Sequence, residues 1–306
     1  MKVSQLHKAE VQVAERELFF SLIRKRVPAE AFRYNRMFRA RLTLELYKYP
    51  IAEVIANPQL IQREADLLLA ELDAAADHHT GTRPLLLPGK QDHILLHETM
   101  VRPIDEELAL FIHARYHYLL TPRTAIFHLG LFSPAGHMLG LASFSENDLT
   151  HLNPILPDGI TQKDTLVLSR FVTFDYTPLN TPTHFLGQAS KWIRGHYPGV
   201  RLALSYLDPN LGFEGTIYKA YNAILVAEEA KRRYLYDHGR YASDRSMLER
   251  FGTADWKKLH AKDAAITQSV EPLKPLQVYA WDINRKRPIR FHPEPRTISP
   301  HPNLVG

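Results

Sequence analysis

Apolar residues recur along this chain with two different periods, and the change of period divides it. From Val3 to about residue 27, Val11, Ala14, Leu18 and Leu22 return at helical spacing among charged residues, and Pro28 ends the run. A second helical pattern, acidic this time, covers about 58–76 and includes IQREADLLLAELDAAA. HHTGTRPLLLPGK (78–90) reads as a linker from its Gly, Pro and Thr content. Residues 1–90 therefore predict a helical extension, basic between its two helices and acidic in the second.

From residue 104 the pattern changes. IDEELALFIHARYHYL predicts a helix with Leu108, Ile112 and Tyr116 on one stripe. TAIFHLGLFS and MLGLASFS flank Pro134-Ala135-Gly136, which is hairpin chemistry. Next come a strand over 166–174, a helix over 182–196, a strand over 202–208, a short helix over 215–222 and the strand ILVAEE. The longer helix has clear start signals. Thr181 is the expected N-cap and Pro182 the first helical residue, with Phe185, Leu186, Ala189, Trp192 and Ile193 forming the apolar face. This order predicts an α/β fold with a mixed sheet flanked by helices. The expected division is an extension at 1–90, an α/β domain at 91–292 and a mobile, Pro-rich tail at 293–306. No internal repeat is visible.

Composition narrows the chemistry. The chain has 306 residues, of which 45% are hydrophobic and 10% aromatic, enough for a real core. It has no cysteine, which excludes disulfides, thiolate nucleophiles, Cys-based zinc sites and iron–sulfur clusters. No apolar run is long enough to span a bilayer and the N-terminus lacks a signal-peptide core. A cytoplasmic protein without a membrane partner is therefore expected.

Net charge is +5, and its distribution says more than the total. Arg24, Lys25, Arg26, Arg33, Arg36, Arg39, Arg41 and Lys48 crowd together, interleaved with Phe32, Tyr34 and Phe38. Arginine beside aromatics suits contact with phosphates and bases, and a solvated face is the competing reading. Two further clusters, Lys231 to Arg233 and Arg285 to Arg290, read as solvated faces.

Arg170 is the sharpest anomaly. Its neighbours Leu166, Val167, Leu168, Phe171 and Val172 describe a buried strand, where a guanidinium requires an anionic or carbonyl partner. Either it serves a site or it pairs internally with Asp208 or Glu214. Asp208 ends the next strand just before Pro209. It can cap the following turn, or, with a raised pKa, accept a proton from an amine. Tyr218 is a core tyrosine with a wet tip, or a proton donor or stacking platform. His113 and His117, four apart, put two rings on one helix face, a geometry that can bind a metal; with no acidic ligand nearby the signal is weak, and no metal is expected. No phosphate-binding P-loop, no G-x-S-x-G elbow and no G-x-G-x-x-G is present.

Several blocks occur together in order: His117-Tyr118, Gly140 to Phe144, Leu168-Ser169-Arg170, Asn180, FLGQASKWI, Ser205-Tyr206-x-Asp208-Pro209, and Gly215-Thr216-Ile217-Tyr218-Lys219-Ala220. Over roughly 105–235 they resemble the Mom-like DNA-modification proteins, a phage branch of the GNAT acyltransferase superfamily. One departure is Val167, where that family often carries Glu.

The resemblance implies a GNAT-like mixed sheet and modification of adenine N6 in double-stranded DNA to a carbamoylmethyl-type adduct that protects against restriction. It also implies acetyl-CoA or a related acyl donor, held between the strands at 166–174 and 202–208. On this reading Arg170, Asp208, Tyr218, His117 and Tyr118 are catalytic. Phe171, Val172, Asn180, Thr181 and Thr183 bind the donor, the last two through helix N–H groups. Lys219 contacts DNA, joined by Arg33, Arg36 and Arg39 of the basic segment, which lies outside the resemblance and is read from its own charge and aromatics. In place of a glycine-rich pyrophosphate loop the chain has Asp175 to Asn180. A carbamoylmethyl group attaches through its methylene, so plain acetyl transfer does not account for it. Two other readings stand beside this one: an N-acyltransferase for a small amine or an already modified base, and a non-catalytic DNA-binding protein on the same fold.

Overall fold

The computed structural model describes residues 3–29, 31, 37–74, 94–148, 150–230, 233–284 and 289–299, with side chains from residue 11 onward. The described residues fall into two compact units. One combines the N-terminal region to 77 with 232–273; the other contains 78–231 and the chain from 274 to 302.

The first unit begins with four helices, α1 (Val3–Arg26), α2 (Met37–Leu46), α3 (Ile51–Ala56) and α4 (Gln59–Ala74). On α1 the stripe expected to be buried faces solvent: Val11 is 44% and Leu18 47% exposed. Phe19 and Ile23 are buried instead, and Phe19 packs edge-on against Tyr47 with ring centroids 5.7 Å apart. Polar residues are buried here too. Arg41 pairs with Glu45 at 2.8 Å, and Glu64 accepts from Lys48 at 2.8 Å and from the Tyr49 hydroxyl at 2.8 Å.

The second unit supplies β1 (Met100–Ile104), α5 (Glu106–Tyr116), β2 (Phe127–Phe132), β3 (Met138–Glu146), β4 (Thr165–Thr173), α6 (Thr181–His196), β5 (Leu202–Leu207), α7 (Thr216–Ala220) and β6 (Ile224–Glu229). The chain then returns to the first unit as β7 (Leu235–Asp237), β8 (Arg240–Ala242), α8 (Asp244–Phe251), α9 (Trp256–Lys262) and β9 (Ile266–Gln268). Residues 232–273 thus belong with the N-terminal helices rather than with the sheet. The Tyr236 hydroxyl donates to the Leu44 carbonyl at 2.6 Å across this join.

β10 (Leu276–Asp282) and β11 (Arg296–Ile298) complete an eight-stranded mixed sheet of order β1-β2-β3-β4-β5-β10-β6-β11. The expected α/β class and mixed sheet are what the chain forms. The tail, expected to stay unpacked, contributes β11, which runs parallel to β6 and buries Ile298.

Local chemistry accounts for the elements that carry the site. Asp105 caps α5 by accepting from the Leu108 N–H at 2.7 Å. Leu166, Leu168, Ala203 and Leu207 join Phe185, Leu186, Ala189 and Ile193 of α6 in one core. On the opposite face Leu141 and Val172 pack with Ala109 and Ile112 of α5. Gly140 is needed where it stands: a Cβ there would lie 2.6 Å from the Val172 carbonyl oxygen.

Candidate functional site

The two parallel strands at the centre pair only over part of their length. β4 runs beside β5 from Thr165 opposite Leu202 to Leu168 opposite Ser205. Beyond that point β4 continues along β3 to Thr173, without a β5 partner among the described residues.

At the same level β4 carries a bulge. Arg170 lies opposite Ser143 and Leu168 opposite Phe144, so Ser169 is the extra residue. Ser145 donates to Ser169 at 3.0 Å, and Ser169 to the Ser143 carbonyl at 3.1 Å, pinning the bulge in place. Strict alternation would put Leu168, Arg170 and Val172 on one face. Instead Leu168 packs in the α6-side core and Val172 in the α5-side core. Arg170 is therefore turned toward α5.

There it joins a set of buried polar side chains. Ser143 Oγ lies 2.9 Å from His113 Nε2 and 2.8 Å from His128 Nδ1. The Arg123 N–H donates to His113 Nδ1 at 3.3 Å, which assigns the proton to His113 Nε2 and makes Ser143 its acceptor. His117, just past the end of α5, accepts from the Leu119 N–H at its own Nδ1, so its proton sits on Nε2. Burial pushes His113 down to about 3, with the Arg170 charge adding to it. Burial and then Arg170 also hold His117 well below its ordinary value, and burial lowers His128. All three rings are neutral at pH 7 beside the Arg170 cation, whose Nη1 donates to the Ser169 carbonyl at 2.8 Å. Tyr118 lies against His117 with centroids 4.4 Å apart, and meets Phe213 edge-on at 5.5 Å.

Tyr218 lies with the α6-side core. Its hydroxyl is 2.7 Å from Ser205 Oγ, and its ring stacks on Tyr279 at 5.0 Å. Burial pushes it up to about 12, partly offset by the Ser205 hydrogen bond. Gly215, which starts α7, has φ +70°, and a Cβ there would strike the Tyr279 ring. Lys219, on the same short helix, is exposed. Asp208 is buried and accepts from the Asn210 N–H at 3.0 Å and the Asn210 side-chain amide at 2.8 Å, the turn-capping arrangement.

The candidate residues thus divide. Arg170, His117 and Tyr118 gather on the α5 side, while Tyr218 sits with Ser205 and the Tyr279 ring. Sequence reasoning missed Ser143, His128 and Phe213. His128 had a visible signal, since it interrupts an apolar strand much as Arg170 does. Phe213, in a loop, had none.

A cavity of about 660 Å³ opens beside the first half of α6. Asn180, Thr183, His184 and Gly187 line it from that helix, and Tyr221 and Asn222 from the chain leaving α7. Asn180, rather than Thr181, is the N-cap, with φ 68°. The buried Thr181 spends both polar groups on the Pro178 carbonyl, its N–H at 3.2 Å and its hydroxyl at 2.7 Å. Pro182 has no N–H. The helix start therefore offers a phosphate fewer donors than expected, and among the described lining residues there is no Lys or Arg. Phe171 packs on Phe185 with centroids 5.6 Å apart and Val172 is wholly buried, so both serve as core.

In the first unit Arg39 is half-buried and Arg41 is committed to Glu45, while Arg24, Lys25 and Arg26 are exposed. Arg33 and Arg36 lie outside the described residues. No helix among the described residues is long and apolar enough to cross a membrane.

Solved structures similar to this chain include spermidine N-acetyltransferase from Vibrio cholerae in a dodecameric intermediate state. The identity is 7%, over 62% of this chain and 99% of that one, with a TM-score of 0.37. The ribosomal-protein-S5-alanine acetyltransferase from Vibrio fischeri is similar at 10% identity, over 62% and 96% of the two chains, with a TM-score of 0.35. Likenesses this loose support no statement about chemistry. No curated protein matches the chain. A family match, however, covers residues 98–290, which include every strand and helix of the site just described. The chain belongs to the Mom protein family.

Proposed function

We propose that this protein is a transferase that modifies the exocyclic N6 of adenine in double-stranded DNA. The observation that carries the reading is the family match over 98–290, which spans both the Arg170 cluster and the Ser205–Tyr218 pair. The carbamoylmethyl-type adduct is the product that the family resemblance implies.

Such a reaction needs four things from the protein. The base must leave the stack, because N6 inside a duplex is out of reach. Tyr118 and Phe213, both half-buried, are the aromatic platform for it. A group attached through its methylene carries a carbonyl beside the reacting carbon. Arg170 is the cation proposed to hold that oxygen, beside histidines that burial keeps neutral. The amine must lose a proton as the new N–C bond forms and the bond from the methylene to the donor's leaving group breaks, the electron pair going with that leaving group; Asp208 at the end of β5 is the proton acceptor proposed. His117, with its proton on Nε2, is a hydrogen-bond donor to a ring nitrogen of the base.

Nucleoside mass spectrometry of DNA from cells producing the protein tests this. A deoxyadenosine of increased mass is expected, absent with Arg170→Ala. A modified thymine or cytosine, or unmodified DNA from a well-expressed protein, would overturn the assignment.

A further inference from the structure

In the first unit, α8 and α9 are joined so that one helix face is left to solvent. Ser243 caps α8 by accepting from the Ser246 N–H at 3.2 Å, and Gly252, with φ 74°, ends it. After Thr253 and Ala254, Asp255 caps α9 by accepting from the Lys258 N–H at 3.0 Å. Two helices linked by a short turn that starts on glycine make a helix-turn-helix. Met247 of α8 and Leu259 of α9 are wholly buried, packed with Leu235 of β7 and Ile266 of β9. Lys262 Nζ donates to the Phe251 carbonyl at 2.8 Å, and His260 Nδ1 to the Ile266 carbonyl at 2.9 Å. These bonds brace α9 against the end of α8 and against β9.

The face that α9 turns outward is basic. Its sequence, WKKLHAK, holds lysines and a histidine and no acid. With Leu259 turned inward, helical spacing puts Lys257, Lys258, Ala261 and Lys262 on the outer side, and all four are exposed. Two local rules oppose this arrangement. Lys257 and Lys258 stand in the first turn, where the helix dipole favours acids, and Lys258 and Lys262, four residues apart, carry like charge. An anionic partner relieves both conflicts. The arginines of α8, by contrast, are answered within the unit, Arg245 by Glu249 at 2.8 Å and Arg250 by Asp237. The length of α9, about 10 Å at 1.5 Å per residue, fits the roughly 12 Å width of a DNA major groove. The small side chain of Ala261 lets its backbone come close to what it faces.

We propose that α8 and α9 dock on duplex DNA as a helix-turn-helix, with α9 in the major groove and Lys257 and Lys258 on the phosphates beside it. The choice of DNA as the anion rests on the transferase reading above; the basic face itself does not, and binding can be measured without turnover.

Fluorescence anisotropy of the full chain with a labelled DNA duplex of about 25 base pairs, at salt concentrations from about 0.05 to 0.3 M, is the test. Lys257→Ala with Lys258→Ala should flatten the salt slope by about 1.8, or about 0.9 for each lost phosphate contact, and weaken binding at least about fivefold. Ala261→Glu, which adds a carboxylate to the face without touching the core, should weaken it at least about tenfold. Lys257→Arg with Lys258→Arg keeps the charges and should bind as the wild type does. Melting temperatures should hold in all three. Affinity and slope unchanged in the alanine and glutamate variants, or an equal loss in the arginine variant, would overturn the proposal. So would a duplex RNA of the same sequence binding as tightly as the DNA, because the major groove of A-form RNA is too narrow for a helix. Unmodified DNA alongside lysine-dependent binding would sink the transferase reading and leave this surface standing. Modified DNA alongside binding indifferent to these lysines would do the reverse.

Discussion

The Tyr218 hydroxyl closes on Ser205 Oγ, 2.7 Å away, at the last position where β4 and β5 still pair. Ser205 also donates to the Leu168 carbonyl at 3.3 Å, so one short polar chain marks the point where the strands separate. Tyr218→Phe should cost about 1 kcal/mol of stability, the usual worth of a neutral hydrogen bond. Ser205→Ala should cost more, since it also loses the bond to the Leu168 carbonyl, and the double variant little more than Ser205→Ala, because the Tyr218–Ser205 bond can be lost only once. Urea denaturation of the four proteins checks this. If the hydroxyl also acts on the substrate, modification should fall far more than the stability loss explains.

The buried histidines predict acid lability with a defined sign. Their folded pKa values lie below the ordinary 6.5, so between about 6.5 and 3 the unfolded chain takes up protons that the folded His113 refuses. Stability is therefore full above pH 6.5 and falls as pH drops through that window, by up to about 1.4 kcal/mol per pH unit for each such ring. His113→Asn should flatten the fall. Denaturant midpoints measured from neutral to acid pH read this directly, and a midpoint independent of pH would contradict the burial of these rings.

Glycine at 215 is fixed twice, by its left-handed φ of +70° and by the Tyr279 ring where a Cβ would go. Gly215→Ala should destabilise by about 2 kcal/mol or more and disturb Tyr218, which stacks on the same ring. Thermal melting reports the first effect. Ultraviolet titration of the tyrosines reports the second, as a lowered pKa for Tyr218 once its burial is relaxed.

For nucleic-acid binding the basic segment is no longer uniform. Arg24, Lys25 and Arg26 are exposed at the end of α1, whereas Arg41 is locked to Glu45. Replacing the exposed three by alanine should lower duplex affinity on all sequences alike and flatten the salt slope by about 0.9 per lost phosphate contact. Arg41→Ala should act on stability instead, by about 1–3 kcal/mol, since it takes the nearest cation from the buried Glu45 carboxylate, which keeps the Tyr241 N–H at 3.1 Å and Arg240 at 3.9 Å. Fluorescence anisotropy at several salt concentrations, beside melting curves, separates the two.

How much of this was legible in the sequence varied with how local the cause was. β4, α6 and β5 announce themselves because strand and helix periods differ and the helix face from Phe185 to Ile193 is clean. The bulge at Ser169 is invisible, since alternation alone assigns Arg170 to the face of Leu166 and Leu168. On α1 two apolar stripes overlap, one through Val11 and Leu18 and the other through Phe19 and Ile23. Periodicity cannot choose between them, and contacts such as that with Tyr47 do. β11 is three residues long and exists because β6 offers it a parallel edge. The Arg170 cluster was half legible. Two of its histidines and the arginine stood out, but Ser143 is an ordinary serine until the register of β3 places it opposite Arg170.

The join between Leu44 and Tyr236, 192 residues apart, sets a timetable for synthesis. At typical elongation rates roughly 10–40 s pass between the emergence of the two segments. Throughout that interval Phe19, Leu42 and Tyr47 have been made and the strand that helps enclose their unit has not. The N-terminal helices leave the ribosome first and are finished late. Nascent chains stalled before residue 232 should therefore recruit holding chaperones, and fragments ending there should aggregate, whatever the state of the sheet that follows them.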